Sequence, residues 1–171
     1  GPILEFFKLL ALCHTVLADP IPGCADDAPE NSNMLLEYKA QSPDEAALVG
    51  SARDLGLAFL GREHDTMTVK ILNRIHKFTL LDVIEFTSTR KRMSVILRDE
   101  QTGKIVLYCK GADNVIMERL LRDTNAAIAE ETMSHLDRFA ASGLRTLCLA
   151  KRTLTDGEYK EWSERYRQAS A

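Results

Sequence analysis

HKFTLLDVIEFTSTRKRMSVILRD, His76–Asp99, decides the fold. Its first half, HKFTLLDVIEF, and its last, RMSVILRD, are rich in β-branched and aromatic residues, as strands require. The five polar residues between them are a connection, and so short a connection favours antiparallel pairing. The same pattern extends both ways: LAFLGRE and TMTVKIL lie upstream and KIVLYCK downstream, separated by turn-forming groups such as REHD and DEQTG. From Leu57 to Lys110 the chain therefore reads as a run of antiparallel strands, with LRTLCLAKR as a further strand nearer the C-terminus.

Helices flank this run. ILEFFKLLALCHTVL, Ile3–Leu17, spaces Phe6, Leu9, Leu10, Cys13 and Val16 or Leu17 along one helical face, so an amphipathic helix is predicted there. In SPDEAALVGSARDLG, Ser42 suits the N-cap, Pro43 the first helical position and Glu45 the returning arm of a capping box, with Gly56 at the C-terminal end. ADNVIMERLL and NAAIAEETMSHLDRFAASG form a second helical region ending at Gly143, and TDGEYKEW opens a last helix with Thr155 and Glu158 at capping-box spacing. The fold class expected is α+β, a twisted antiparallel β-sheet flanked by helices in a two-layer sandwich. A short strand is predicted at MLLEYKA. Residues 18–33, rich in Pro, Asp, Asn and Gly, read as a flexible loop. Gly1-Pro2 reads as a tag remnant, leaving 3–171 as a single domain of monomeric habit.

Composition excludes several roles. With 22 Lys+Arg against 25 Asp+Glu and a net charge of −3, no overall basic field draws nucleic acid or an anionic membrane. Cys13, Cys24, Cys109 and Cys148 show no C-x-x-C spacing, so they read as reduced, mostly buried thiols rather than metal ligands with His14 or His135. No apolar run reaches the length of a membrane span. The G-x-x-x-x-G-K-[ST] loop, G-x-G-x-x-G, H-E-x-x-H and G-x-S-x-G are all absent.

Four places carry candidate binding chemistry. Phe86 stands at the end of an apolar strand, four residues before Arg90-Lys91-Arg92; an exposed ring there stacks on a purine, worth about 1 to 3 kcal/mol, whereas a buried one is ordinary core. Lys110-Gly111 joins a strand to a helix start, where glycine allows close backbone approach and the helix favours an anion, the alternative being that Lys110 is a plain surface lysine. Arg145 reads either as a phosphate ligand or as a rim residue paired with Asp or Glu. Glu45 is divided between capping its helix and accepting from a base amino group.

SPDEAAL, EFTSTRKRMSV, YCKGADNVIMERL, GLRTLCLA and YKEWSERYRQAS occur in this order, and together they resemble the nucleotide-binding domain of type IV P-type ATPases, the phospholipid flippases, from about Ile3 onward. The resemblance implies that Phe86 stacks on adenine, that Lys110 lies at the inner end of the pocket with Glu45 at the adenine edge, that Lys91 and Arg145 face the phosphates, and that Thr87 and Gly111 line the walls. It implies ATP as ligand, with Mg2+ carried on the phosphates. It also implies a cytosolic domain of an integral membrane protein, working with phosphorylation and actuator domains of the same chain. The resemblance leaves an accessory subunit and the lipid undefined. Alternation along a strand sets Lys91 opposite Arg90 and Arg92.

No D-K-T-G, D-G-x-N-D or T-G-E motif is present, so this chain by itself is expected to bind ATP weakly, with Kd on the order of 0.1 to several mM, and not to hydrolyse it. The parent is the enzyme; no residue here is assigned a catalytic or metal-binding role. The rival reading is a docking module that uses Arg90-Lys91-Arg92 for an acidic partner or lipid headgroup. A hydrolase built on His64 with Asp65, or on His14, lacks an activated nucleophile.

Overall fold

A computed structural model describes residues 1–21 and 36–171. In chain order the elements are α1 (Pro2–Leu12), β1 (Leu17–Pro20), β2 (Leu36–Lys39), α2 (Pro43–Asp54), β3 (Leu57–Glu63), β4 (Thr66–Ile71), β5 (Arg74–Ile84), β6 (Arg92–Asp99), β7 (Ile105–Gly111), α3 (Asp113–Met117), α4 (Arg122–Ala141), β8 (Cys148–Leu154) and α5 (Asp156–Ser170). Strands β3 to β8 form one six-stranded sheet in sequence order, every neighbour antiparallel. Each strand predicted between Leu57 and Lys110 is present, and the expected α+β architecture holds.

Alternation divides the sheet into two faces. Val69, Val95, Leu97 and Tyr108 bury themselves with Phe59 against Leu9 and Leu12 of α1 and Val49 and Ala52 of α2. This is the principal pair of layers. A smaller cluster of Ile116, Leu136 and Cys148 involves α3 and α4, and α5 is tied to the sheet through polar groups: Tyr159 donates to Asp82 at 2.7 Å, while Arg98 and Arg152 pair with Asp156 and Glu158 at 2.7 and 2.6 Å. The capping box at Thr155 and Glu158 is complete.

The helix expected to run to Leu17 stops at Leu12. Cys13 leaves the helical region at φ −88°, ψ 74°, and the His14 ring takes over the backbone groups beyond it. Its Nδ1 accepts from the Val16 N–H at 3.0 Å, which places the proton on Nε2, 2.8 Å from the Ala11 carbonyl it donates to. Leu17 instead opens β1, and residues 18–20 of the expected flexible loop pair with β2, helped by Asp19–Lys39 at 2.8 Å. A partner strand outweighed composition there. The rest of that loop, 22–33, lies outside the described residues.

His14 is 3% exposed and packs edge-on against Phe59 at 4.5 Å. Burial, partly opposed by the Ala11 carbonyl, pushes its pKa down from 6.5 to about 4. The unfolded chain therefore takes up this proton more readily than the folded one. His14's contribution is intact above pH 6.5 and is lost as pH falls towards 4, at about 1.4 kcal/mol per unit. Urea unfolding from pH 7 to 5 is expected to show this slope, and His14→Gln is expected to remove it; an unchanged slope in the variant would refute the assignment.

Candidate functional site

Antiparallel order brings the end of β5, the start of β6, the end of β7 and the start of β8 to one end of the sheet. Phe86, Lys91, Lys110, Gly111 and Arg145 all belong to that end, and the start of α2 reaches it through Glu45.

Phe86 lies two residues beyond the end of β5 at Ile84 and is 60% exposed. That number excludes the core alternative: an apolar ring left in solvent at a strand corner is a surface available for stacking. The residues after it form a tight turn. Thr87 Oγ1 accepts from the Arg90 N–H at 3.1 Å, and the Thr87 carbonyl from the Lys91 N–H at 2.8 Å. Thr87 thus shapes the turn that presents Phe86.

Lys91 closes the turn at φ 52°, and β6 starts only at Arg92. The strand alternation expected to set Lys91 opposite its neighbours therefore does not apply, because Lys91 is not in a strand. A left-handed residue separates the three cations instead. Arg90 Nη1 donates to the carbonyls of Ile84, Glu85 and Arg92 at 3.2, 2.8 and 3.0 Å, and Arg92 Nη1 donates to the Arg90 carbonyl at 3.0 Å. Those two guanidiniums hold the turn together. The Lys91 side chain is exposed.

The left-handed turn also aims the Lys91 carbonyl at β7, where it accepts from the Ala112 N–H at 3.0 Å. This close approach is possible because residue 111 has no side chain. A Cβ on Gly111 would lie 2.6 Å from the Lys91 carbonyl oxygen and 2.6 Å from Arg92 Cβ. Gly111 fixes the spacing between the Lys91 turn and Lys110.

Lys110 is 8% exposed, on the face that carries α1 and α2. Its Nζ stands 3.9 Å from Glu45 Oε1, close enough for charge attraction but too far for a hydrogen bond. The structure bears directly on the capping reading of Glu45. Ser42 Oγ accepts from the Glu45 N–H at 3.2 Å, so half of the expected capping box forms. The other half does not: the carboxylate turns inward to accept from the Thr15 N–H at 2.9 Å and to face Lys110. A cation and a carboxylate with partial burial and spare hydrogen-bonding capacity suit a polar base edge.

Arg145 lies in the extended link 144–147, before β8 begins at Cys148, so it is not in the predicted strand. It is 83% exposed and pairs with Asp44 at 2.7 Å. Thr15 and Asp44 are the site residues that sequence reading missed. Asp44, adjacent to Glu45 in SPDE, left a signal as one of two neighbouring carboxylates; Thr15 acts through its backbone and left none. Neither of the two best-formed hollows among the described residues includes Phe86, Lys110 or Arg145. The candidate site is an open sheet end.

Comparison with known proteins shows the family. Residues 24–170 match the family described as P-type ATPase, cytoplasmic domain N. The chain is 49% identical over 162 residues to phospholipid-transporting ATPase dnf2 of Schizosaccharomyces pombe, covering 95% of this chain and 11% of that protein. It is 46% identical over 168 residues to phospholipid-transporting ATPase IC of Xenopus tropicalis, with 98% and 12% coverage, and 46% identical over 166 residues to phospholipid-transporting ATPase ID of Homo sapiens, with 97% and 13%. It spans about a tenth of the length of these relatives. The six-stranded antiparallel sheet and the family match agree, and the chain belongs to the cytoplasmic N-domain family of P-type ATPases.

Proposed function

We propose that this domain binds ATP at the open sheet end and presents it, within a phospholipid-transporting P-type ATPase, to an aspartate in a separate phosphorylation domain. The observation that carries the reading is the exposed Phe86 ring at the same sheet end as the Lys110–Glu45 pair. Phe86 stacks on the adenine. Glu45 accepts from the exocyclic amino group, Lys110 closes the inner end, and Lys91 and Arg145 meet the phosphates from the turn and from the link before β8. Thr87 and Gly111 set the walls by fixing the turn and its distance from β7. Magnesium accompanies the phosphates, and no residue here is assigned to it. The phosphorylation and actuator domains of the same membrane-embedded chain are the working partners, and phospholipid movement is the activity of the relatives by name.

The docking reading fares worse. Arg90 Nη1 donates to three backbone carbonyls of the turn and Arg92 Nη1 to a fourth, so these guanidiniums brace the turn and are partly committed before any acidic partner arrives.

Calorimetric titration with Mg-ATP, paired with a phosphate-release assay, tests the proposal. Saturable binding with Kd on the order of 0.1 to several mM is expected, without phosphate release, because the chain carries no phosphoryl acceptor. No saturation by about 10 mM ATP, or phosphate release by the domain, would contradict it.

A further inference from the structure

Asp44 and Glu45 are consecutive carboxylates in the first turn of α2, and they diverge. Glu45, 13% exposed at its side chain, turns in to Lys110; Asp44, 48% exposed, turns out to Arg145, with Oδ1 2.7 Å from Nη2. One helical turn thus holds both the inner and the outer cation of the site. Arg145 has no strand partner in the link 144–147, and among the described residues Asp44 is its one ion-pair partner. A carboxylate engages guanidinium donors with the geometry a phosphate oxygen would use, so the two compete for the same N–H groups. Both partners are well exposed, which makes the pair weak enough for a ligand to displace.

We infer that Asp44 is a charge gate on the outer cation: it occupies Arg145 in the empty site and competes with a ligand's phosphates, weakening polyphosphate binding while leaving the nucleoside part untouched. The inference rests on the nucleotide reading of the site and adds a positioning residue that acts through Arg145. Asp44 lowers affinity for ATP by holding Arg145 and by repelling the phosphate charge.

The test titrates wild type, Asp44→Asn and Asp44→Glu with ATP and with adenosine, at about 20 mM and about 500 mM salt. Asp44→Asn is expected to bind ATP about two- to fivefold more tightly at low salt, with the gain shrinking at high salt. Adenosine binding is expected to stay unchanged, and Asp44→Glu to stay near wild type. Weaker ATP binding by Asp44→Asn would overturn the gate, since holding Arg145 would then be favourable orientation. Unchanged ATP affinity, or an equal change for adenosine, would overturn it as well. If ATP binding is normal in wild type and lost in Phe86→Ala while Asp44→Asn behaves as wild type, the gate alone falls. If wild type binds neither ligand, the nucleotide reading falls and the gate with it.

Discussion

Gly111→Ala is expected to destabilise the domain by about 2 to 3 kcal/mol. The added methyl would sit 2.6 Å from the Lys91 carbonyl oxygen, 2.6 Å from Arg92 Cβ and 2.9 Å from Arg92 Cα. Two of these atoms are backbone and the third is fixed to it, so no flexible side chain can swing away. Gly111 is also paired on both sides, to Arg92 of β6 and Cys148 of β8, and separating β7 from β6 would stretch the Ala112 N–H bond to Lys91. Gly50→Ala is the matched control: in mid-α2 the nearest heavy atom to its new Cβ is the end of the Arg53 side chain at 3.9 Å, so helix propensity favours alanine by about 0.5 to 1 kcal/mol. Urea unfolding followed by the fluorescence of Trp162, the single tryptophan, measures both. A Gly111→Ala variant within about 0.5 kcal/mol of wild type would mean that the strand spacing is softer than the contacts imply.

Phe86→Ala is expected to weaken ATP binding about ten- to a hundredfold, the equivalent of losing one base–aromatic stack, while leaving the fold in place. The separation of the two effects follows from burial. A ring 60% exposed contributes little to the core, and the turn behind it is held by Thr87, Arg90 and Arg92 rather than by the ring. Calorimetric titration gives the affinity and circular dichroism the fold. Near-wild-type affinity in the variant would remove adenine stacking from the account. A collapse of the spectrum would show that Phe86 is structural.

The sheet from β3 to β7 was legible because each strand carries its own signal, a short apolar run bounded by turn residues, and because the turns between them are too short for anything but antiparallel neighbours. Helix α5 was legible for a similar reason: Thr155 and Glu158 satisfy each other within one turn. What failed to show depends on contacts between distant residues. Apolar spacing continued past Leu12, but the hydrogen bonds of the His14 ring end the helix, and β1 exists because residues 36–39 pair with it. Glu45 had a local explanation in its cap, yet Lys110 and the Thr15 N–H draw its carboxylate away. Lys91 followed the strand pattern in sequence but adopts φ 52° under the constraint of the Thr87 turn. Arg145 could be named as a cation near phosphates or a rim residue; its pairing with Asp44 appears only when α2 and the β8 link are brought together.

The central claim is that one sheet end forms a single nucleotide site. An amide NMR titration of the domain with ATP, with and without magnesium, addresses it residue by residue. Shifts clustered at Glu45, Phe86, Lys91, Lys110 and Arg145, and missing when Phe86→Ala is titrated, are the expected result. A well-folded spectrum that stays silent at several millimolar ATP, or shifts that gather away from this end of the sheet, would contradict it.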